Sequence, residues 1–311
     1  MSEQTEKYLF GPVPSRRLGK SLGVDIVPLK TCTQNCIYCQ LGRDGIASLE
    51  RKEYVPIEDV LSELQAWLKA GLQADYITIS GSGEPTLHSR LGELIDGIHK
   101  LTKIPVAVIT NGTLLSDSQV RADCGRADVV LPSLDAGDAK TYEKINRPHA
   151  GLSFEKFVDG LCQFRTEYAG PIWLEVFFCE GINTDPESIA GIGALIGRIG
   201  PDKVQVNTAI RPTAHPQAKP VQPKRLVEIA GLLGYDAEVI ADFPVPPDTA
   251  AGRCSPEAVV ELLRRRPCTI GDICTGLGIG RAKAEQALKQ LENTGQIASA
   301  MRAGKVFYRI V

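Results

Sequence analysis

The chain has 311 residues, 43% of them hydrophobic and 23% charged, which excludes wholesale disorder and suggests about two domains at roughly 150 residues each. Net charge is −2, yet residues Cys254 to Val311 carry nine Lys/Arg against five Asp/Glu. An acidic body is followed by a small basic tail.

The longest uncharged stretch, Ile104 to Ser116, has 13 residues and contains Pro105, Asn111 and Gly112. A spanning helix needs about 20 apolar residues, so no membrane association is expected. The opening MSEQTEKYLF has no basic segment followed by an apolar one. A secretory signal is therefore not expected, and a cytoplasmic location is. The chain has nine cysteines, and in a reducing compartment thiols point to metal binding or catalysis more than to disulfides.

In chain order, β-rich runs are predicted at Leu22–Val27, Asp75–Ser80, Val106–Thr110, Asp128–Ser133, Ile172–Cys179 and Lys203–Ala209. Helical patterns lie between them, at Ile57–Ala70, Arg90–Leu101, Ser116–Cys124, Ser153–Tyr168 and Pro186–Ile199, and Pro223–Leu233 follows the last strand. This alternation predicts βα units around a parallel sheet. The expected fold class is α/β, a partial (β/α)6 barrel spanning residues 1–248, with its chemistry at the carboxyl ends of the strands. Phe243–Gly252, rich in Pro, Ala and Gly, reads as a linker. Helices are then predicted at Pro256–Arg266, Thr269–Thr275 and Arg281–Asn293. Two strands, Gln296–Met301 and Lys305–Val311, flank Arg302-Ala303-Gly304. Three helices and a hairpin predict a winged helix-turn-helix domain over residues 254–311.

Cys32, Cys36 and Cys39 form C-x3-C-x2-C just after the first predicted strand. Three thiolates on one short loop suit a [4Fe–4S] cube, which normally takes four cysteines; the next, Cys124, is distant. One iron would be left open to a further ligand. A structural zinc site needs four ligands, and the nearest histidine is His88.

This spacing at this place in a partial barrel resembles the radical S-adenosylmethionine (radical SAM) superfamily, with Tyr38 in the aromatic position before the last cysteine. Gly81-Ser82-Gly83-Glu84-Pro85, at the end of the second predicted strand, looks like that family's glycine-rich element with Ser82 inserted. The resemblance implies a [4Fe–4S] cluster on Cys32, Cys36 and Cys39, with S-adenosyl-L-methionine as the second cofactor. It implies reductive cleavage to a 5′-deoxyadenosyl radical that abstracts hydrogen from an organic substrate. It also implies an electron donor such as flavodoxin or ferredoxin, and it sets Gly83 and Glu84 against the methionine amino group.

Polar residues at other strand ends, namely Thr110, Asn111, Ser133, Asp135 and Asn207, are candidates for cofactor contact by position. Arg147 and Arg211 could hold a carboxylate or phosphate through the guanidinium fork. Gly11–Gly19, Ser80–Pro85 and Asn207-Thr208 with Arg211-Pro212 narrow the likeness. They resemble Fe–S oxidoreductases related to the wybutosine-synthesis enzyme acting on tRNA. That enzyme has cysteines upstream for a second cluster, whereas none precedes Cys32 here. The substrate class stays open between a small molecule and an RNA nucleoside. A protein-modifying radical activase and an iron–sulfur sensor are the alternatives. The tail would contact nucleic acid or protein, with Arg264–Arg266 as its basic run.

Overall fold

The computed structural model describes residues 8–42, 45–240, 256–302 and 304–311. The predicted linker and both domain limits at 248 and 254 lie outside these residues.

The sheet begins with a hairpin of an unpredicted β1 (Leu9–Ser15) and β2 (Gly19–Val24), the latter overlapping the predicted Leu22–Val27, paired antiparallel with an irregular register between Phe10 and Val13. A two-residue bridge, β3 (Thr31–Cys32) to β4 (Ile46–Ala47), holds the loop that follows. Next come α1 (Ile57–Lys69), β5 (Tyr76–Ile79), α2 (Leu91–Leu101), β6 (Val106–Thr110), α3 (Ser118–Cys124) and β7 (Val129–Pro132). Helices α4 (Ala139–Ile145) and α5 (Phe154–Glu167) precede β8 (Trp173–Phe178). The body closes with α6 (Pro186–Ile199), β9 (Lys203–Thr208), α7 (Pro223–Leu233) and the short β10 (Glu238–Val239). Strands β2, β5, β6 and β7 run parallel in that order, and β8, β9 and β10 continue parallel. Bridges Val130 to Ile172 and Ser133 to Glu175 join the two sets between β7 and β8. The result is a mixed, mostly parallel sheet with six principal βα strands.

Ile77, Ile79, Val106, Val108 and Val130 are fully buried, as expected of strands covered on both faces. The helix limits follow local chemistry. Asp185 caps α6 by accepting from Ser188 N, Pro186 supplies the first turn, and Gly200 ends it at φ 66°, a left-handed position that favours glycine.

The C-terminal residues form α8 (Pro256–Arg265), α9 (Ile270–Leu277), α10 (Arg281–Asn293) and a hairpin of β11 (Ile297–Arg302) with β12 (Lys305–Ile310). This group packs onto the barrel. Val13 of β1 belongs to its core, with Val259, Leu262, Leu263 and Ile273. Arg211, after β9, pairs with Asp272 at 3.0 Å. Arg302 donates to the carbonyls of Ala209 and Ala218. Among the described residues no strand pairing joins β1 to β9 or β10. The tail thus joins the outer edge of β1 to the segment that follows β9.

Candidate active site

The cysteine loop follows β2 and is held from three sides. Ile37 is buried in the core and Ile37 N donates to the carbonyl of Ile145, at the end of α4. Cys39 O accepts from Ala214 N, beyond β9. Thr33 Oγ1 meets Thr113 Oγ1 at 2.7 Å, after β6. Cys32, Cys36 and Cys39 all line one cavity of about 400 Å³ at the carboxyl ends of the strands.

Burial pushes the Cys32 thiol up to about 12, with the nearby Glu84 charge adding to it, and pushes Cys36 well above the usual thiol range. Such thiols become ligands when a cation supplies compensating charge. Asn111 Nδ2 donates to Cys32 Sγ at 3.4 Å, and Asn146 Nδ2 to Cys36 Sγ at 3.5 Å, contacts that favour the ionised sulfur. Among the described residues no three His, Cys, Asp or Glu side chains stand close enough to share one metal ion. In a [4Fe–4S] cube each thiolate takes its own iron, so no single shared ion is required.

The glycine-rich turn after β5 sits against the cysteine loop. Glu84 N donates to Thr31 O at 2.9 Å. A Cβ on Gly83 would stand 1.9 Å from Thr31 O, so only glycine lets the two loops touch. Lys30 lies in this contact. It is 96% buried by its 4% exposure, it lines the cavity, and its Nζ has no hydrogen-bond partner. A buried ammonium without a partner is costly, so Lys30 Nζ is a group that an anion entering the cavity could satisfy.

The other predicted residues divide. Gly81, Gly83, Glu84, Thr110, Asn111, Ser133, Asn207 and Tyr38 line the cavity. Ser82 does not: its hydroxyl and its N–H both donate to the Asp25 carboxylate. Asp135 also turns away. It accepts from Tyr38, from Asn146 Nδ2 at 2.7 Å and from Phe177 N at 2.9 Å, so it braces the cysteine loop from behind. Ser82, a candidate from the glycine-rich element, and Asp135, a candidate by position, both lie in loops beyond their strands, where distant partners decide which way each side chain turns. Glu84, only 2% exposed, accepts from Thr86 N and Oγ1, Thr110 Oγ1 and Asn111 N. Its carboxylate ties the β5 turn to the end of β6, leaving an ammonium little of its hydrogen-bonding capacity. Asn207 Nδ2 donates to Glu175, which also pairs with Arg17. Arg147 stands outside the cavity wall, at φ 47°, its carbonyl accepting from Asn35 N.

Sequence reasoning missed Lys30, and it named Arg17 only within the Gly11–Gly19 likeness and Arg266 only within the basic run, not at the cavity. Lys30 was within reach, two residues before Cys32. Arg266 was not, because only the docking of the tail carries it to the cavity wall.

The fold and the three-cysteine cavity define a radical SAM enzyme, and residues 26–167 match the Radical SAM superfamily. A UPF0026 protein of Synechocystis sp. is 39% identical over 238 residues, 76% of this chain and 84% of that protein. The chain belongs to the UPF0026 family. A protein of Brachyspira hyodysenteriae called GTPase Obg is 36% identical over 312 aligned positions, 99% of this chain. This chain spans 46% of that longer relative. Among solved structures, TYW1 with a lysine-pyruvate adduct bound superposes with a TM-score of 0.55 at 22% identity, covering 72% of this chain and 75% of TYW1. That likeness concerns the fold. No helix among the described residues is long and apolar enough to cross a membrane.

Proposed function

We propose that Cys32, Cys36 and Cys39 hold a [4Fe–4S] cluster and that the enzyme abstracts hydrogen from a small organic substrate admitted to the same cavity. The observation that carries this is the convergence of the cysteine loop, the Gly81–Gly83 turn and Lys30 on one cavity. When bound, the cluster and S-adenosylmethionine supply a 5′-deoxyadenosyl radical by reductive cleavage, with an electron from a flavodoxin- or ferredoxin-type donor. The chain's own residues bind and orient. Lys30 Nζ receives the methionine carboxylate, and the backbone of Gly81 and Gly83 receives the amine. Tyr38 packs flat on Phe177, ring centroids 4.0 Å apart, as a rigid wall behind the cysteines. Ser133 and Asn207 offer polar groups from opposite strands to the nucleoside part.

The tail reads as a winged helix by its order of three helices and a hairpin. Its third helix makes a poor groove reader: Arg281 is engaged with Glu285, and the helix carries only Lys283 and Lys289 besides. Its contacts with the barrel favour a role in walling the cavity, and a cavity of about 400 Å³ favours a small molecule over a nucleoside within folded RNA. The test is anaerobic reconstitution followed by assay for 5′-deoxyadenosine, alone and with small-molecule fractions or cell RNA. Absence of 5′-deoxyadenosine from a protein with a full cluster and a reductant would overturn the reading. Stimulation by RNA alone would overturn the small-molecule substrate.

A further inference from the structure

Five cationic side chains line the cavity: Arg16, Arg17, Lys30, Arg211 and Arg266. Two carboxylates, Glu84 and Glu175, face them from the same wall. Glu175 is engaged by Arg17, and Glu84 is saturated by neutral donors. The cations are unevenly placed. Lys30 stands beside the cysteine loop. Arg211 and Arg266 stand where the tail meets the barrel, one from each partner in that contact.

Arg266 lies between α8 and the bridge that ties Cys268 to Tyr308. Its Nη2 is buried and has no hydrogen-bond partner. Asp272 is the carboxylate nearby, but it is already used: it pairs with Arg211 and closes the capping box of α9 with Thr269. Burial raises the Asp272 carboxyl, but the Arg211 and Arg266 charges and the Thr269 hydrogen bonds together hold it below its ordinary range. One acid is thus shared by two cations.

Arg266 Nη2, buried without a partner on a residue of the cavity wall, calls for an oxyanion. S-adenosylmethionine brings one carboxylate, and the glycine turn with Lys30 accounts for it. We infer that the substrate carries a carboxylate or phosphate group, held by Arg266 of the tail together with Arg211 of the barrel. The planar guanidinium fork is the side chain best matched to such groups, and two of them from different elements fix orientation as well as charge. The tail is then part of the substrate site, and a substrate anion is the piece that completes the contact between tail and barrel. This rests on the cavity being the enzyme's active site, as proposed above, but its test does not require turnover.

The probes are inorganic phosphate and acetate, used on the full chain before and after cluster reconstitution. Modification of Arg266 by an arginine-specific dicarbonyl, followed by peptide mass spectrometry, reads occupancy, and equilibrium dialysis reads affinity. Saturable protection of Arg266 is expected, with dissociation constants in the millimolar range typical of one ionic group. Arg266→Gln should weaken binding by about tenfold or more, since a charge-assisted pair is lost. Arg266→Lys should retain part of it, and it serves if the glutamine variant fails to fold. Protection by phosphate alone identifies a phosphorylated substrate, and by acetate alone a carboxylic acid. No saturable protection by either anion, or equal affinity in wild type and in folded Arg266→Gln, overturns the inference. Failure of the radical SAM reading shows itself separately, as missing 5′-deoxyadenosine in an enzyme that still binds the anion.

Discussion

The hydroxyl of Tyr38 donates to the carboxylate of Asp135, 97 residues along the chain. Burial lifts the Asp135 carboxyl to about 6, against the pull of its donors Tyr38, Asn146 and Phe177 N. Its pKa when folded is thus above the ordinary 3.8, so the folded state binds this proton more tightly than the unfolded state. The stability it contributes is full below pH ~4, falls as pH rises, and is lost above pH ~6. The fall should be on the order of 3 kcal/mol at about 1.4 kcal/mol per unit. Denaturant unfolding of wild type and Asp135→Asn at pH 4 and pH 7 would measure it, the variant showing a flatter dependence. Equal slopes would mean that Asp135 is ionised at both values.

Reconstituted protein should contain about four irons per chain. Replacing Cys32, Cys36 and Cys39 together by Ala should leave none bound. Iron analysis with absorption spectroscopy decides this, and undiminished iron in the variant would place the cluster elsewhere.

Glu84→Gln should act first on the fold. An amide cannot accept from all four donors now facing Glu84, and a buried unsatisfied group costs about 1–3 kcal/mol. Urea unfolding should show that loss without any cofactor present. Weaker S-adenosylmethionine binding should follow, because the Gly83 turn loses its tie to β6. Unchanged stability with weakened binding would instead make Glu84 a direct ligand of the amine.

Arg302→Ala should loosen the tail. The side chain donates to two carbonyls, Ala209 and Ala218, and losing both leaves buried acceptors unpaired. Limited proteolysis should cut between barrel and tail several-fold faster in the variant, tracking the population of the open form. An unchanged rate would mean that Val13 and the Arg211–Asp272 pair hold the contact alone.

Much of this architecture was legible in the sequence because its signals are local. Apolar runs and caps mark Val106–Thr110, Pro186–Ile199 and Arg281–Asn293 at the limits observed. The cysteine spacing singled out the loop that lines the cavity. Hairpin strand β1 escaped because Gly11, Pro12 and Pro14 read as breakers, while its pairing with β2 is interrupted there by an irregular register. The facing of Ser82 and Asp135 depends on which side of the chain turns inward, and their partners Asp25, Tyr38 and Asn146 are far away in sequence. The approach of Arg266 to the cavity is purely tertiary. It depends on α9 meeting β1 and on Asp272 finding Arg211, contacts that no local pattern encodes.

Val13 lies near the start of the chain, yet its hydrophobic partners begin at Val259. During synthesis the first strand must wait, with an apolar side chain uncovered, until the helices from Pro256 onward have left the ribosome. Vectorial folding can complete β5 to β7 early, but not the edge at which the barrel began. A chain stopped short of its last helices would expose Phe10 and Val13 on an edge strand whose outer side lacks a partner, the kind of surface that chaperones bind and that seeds aggregation.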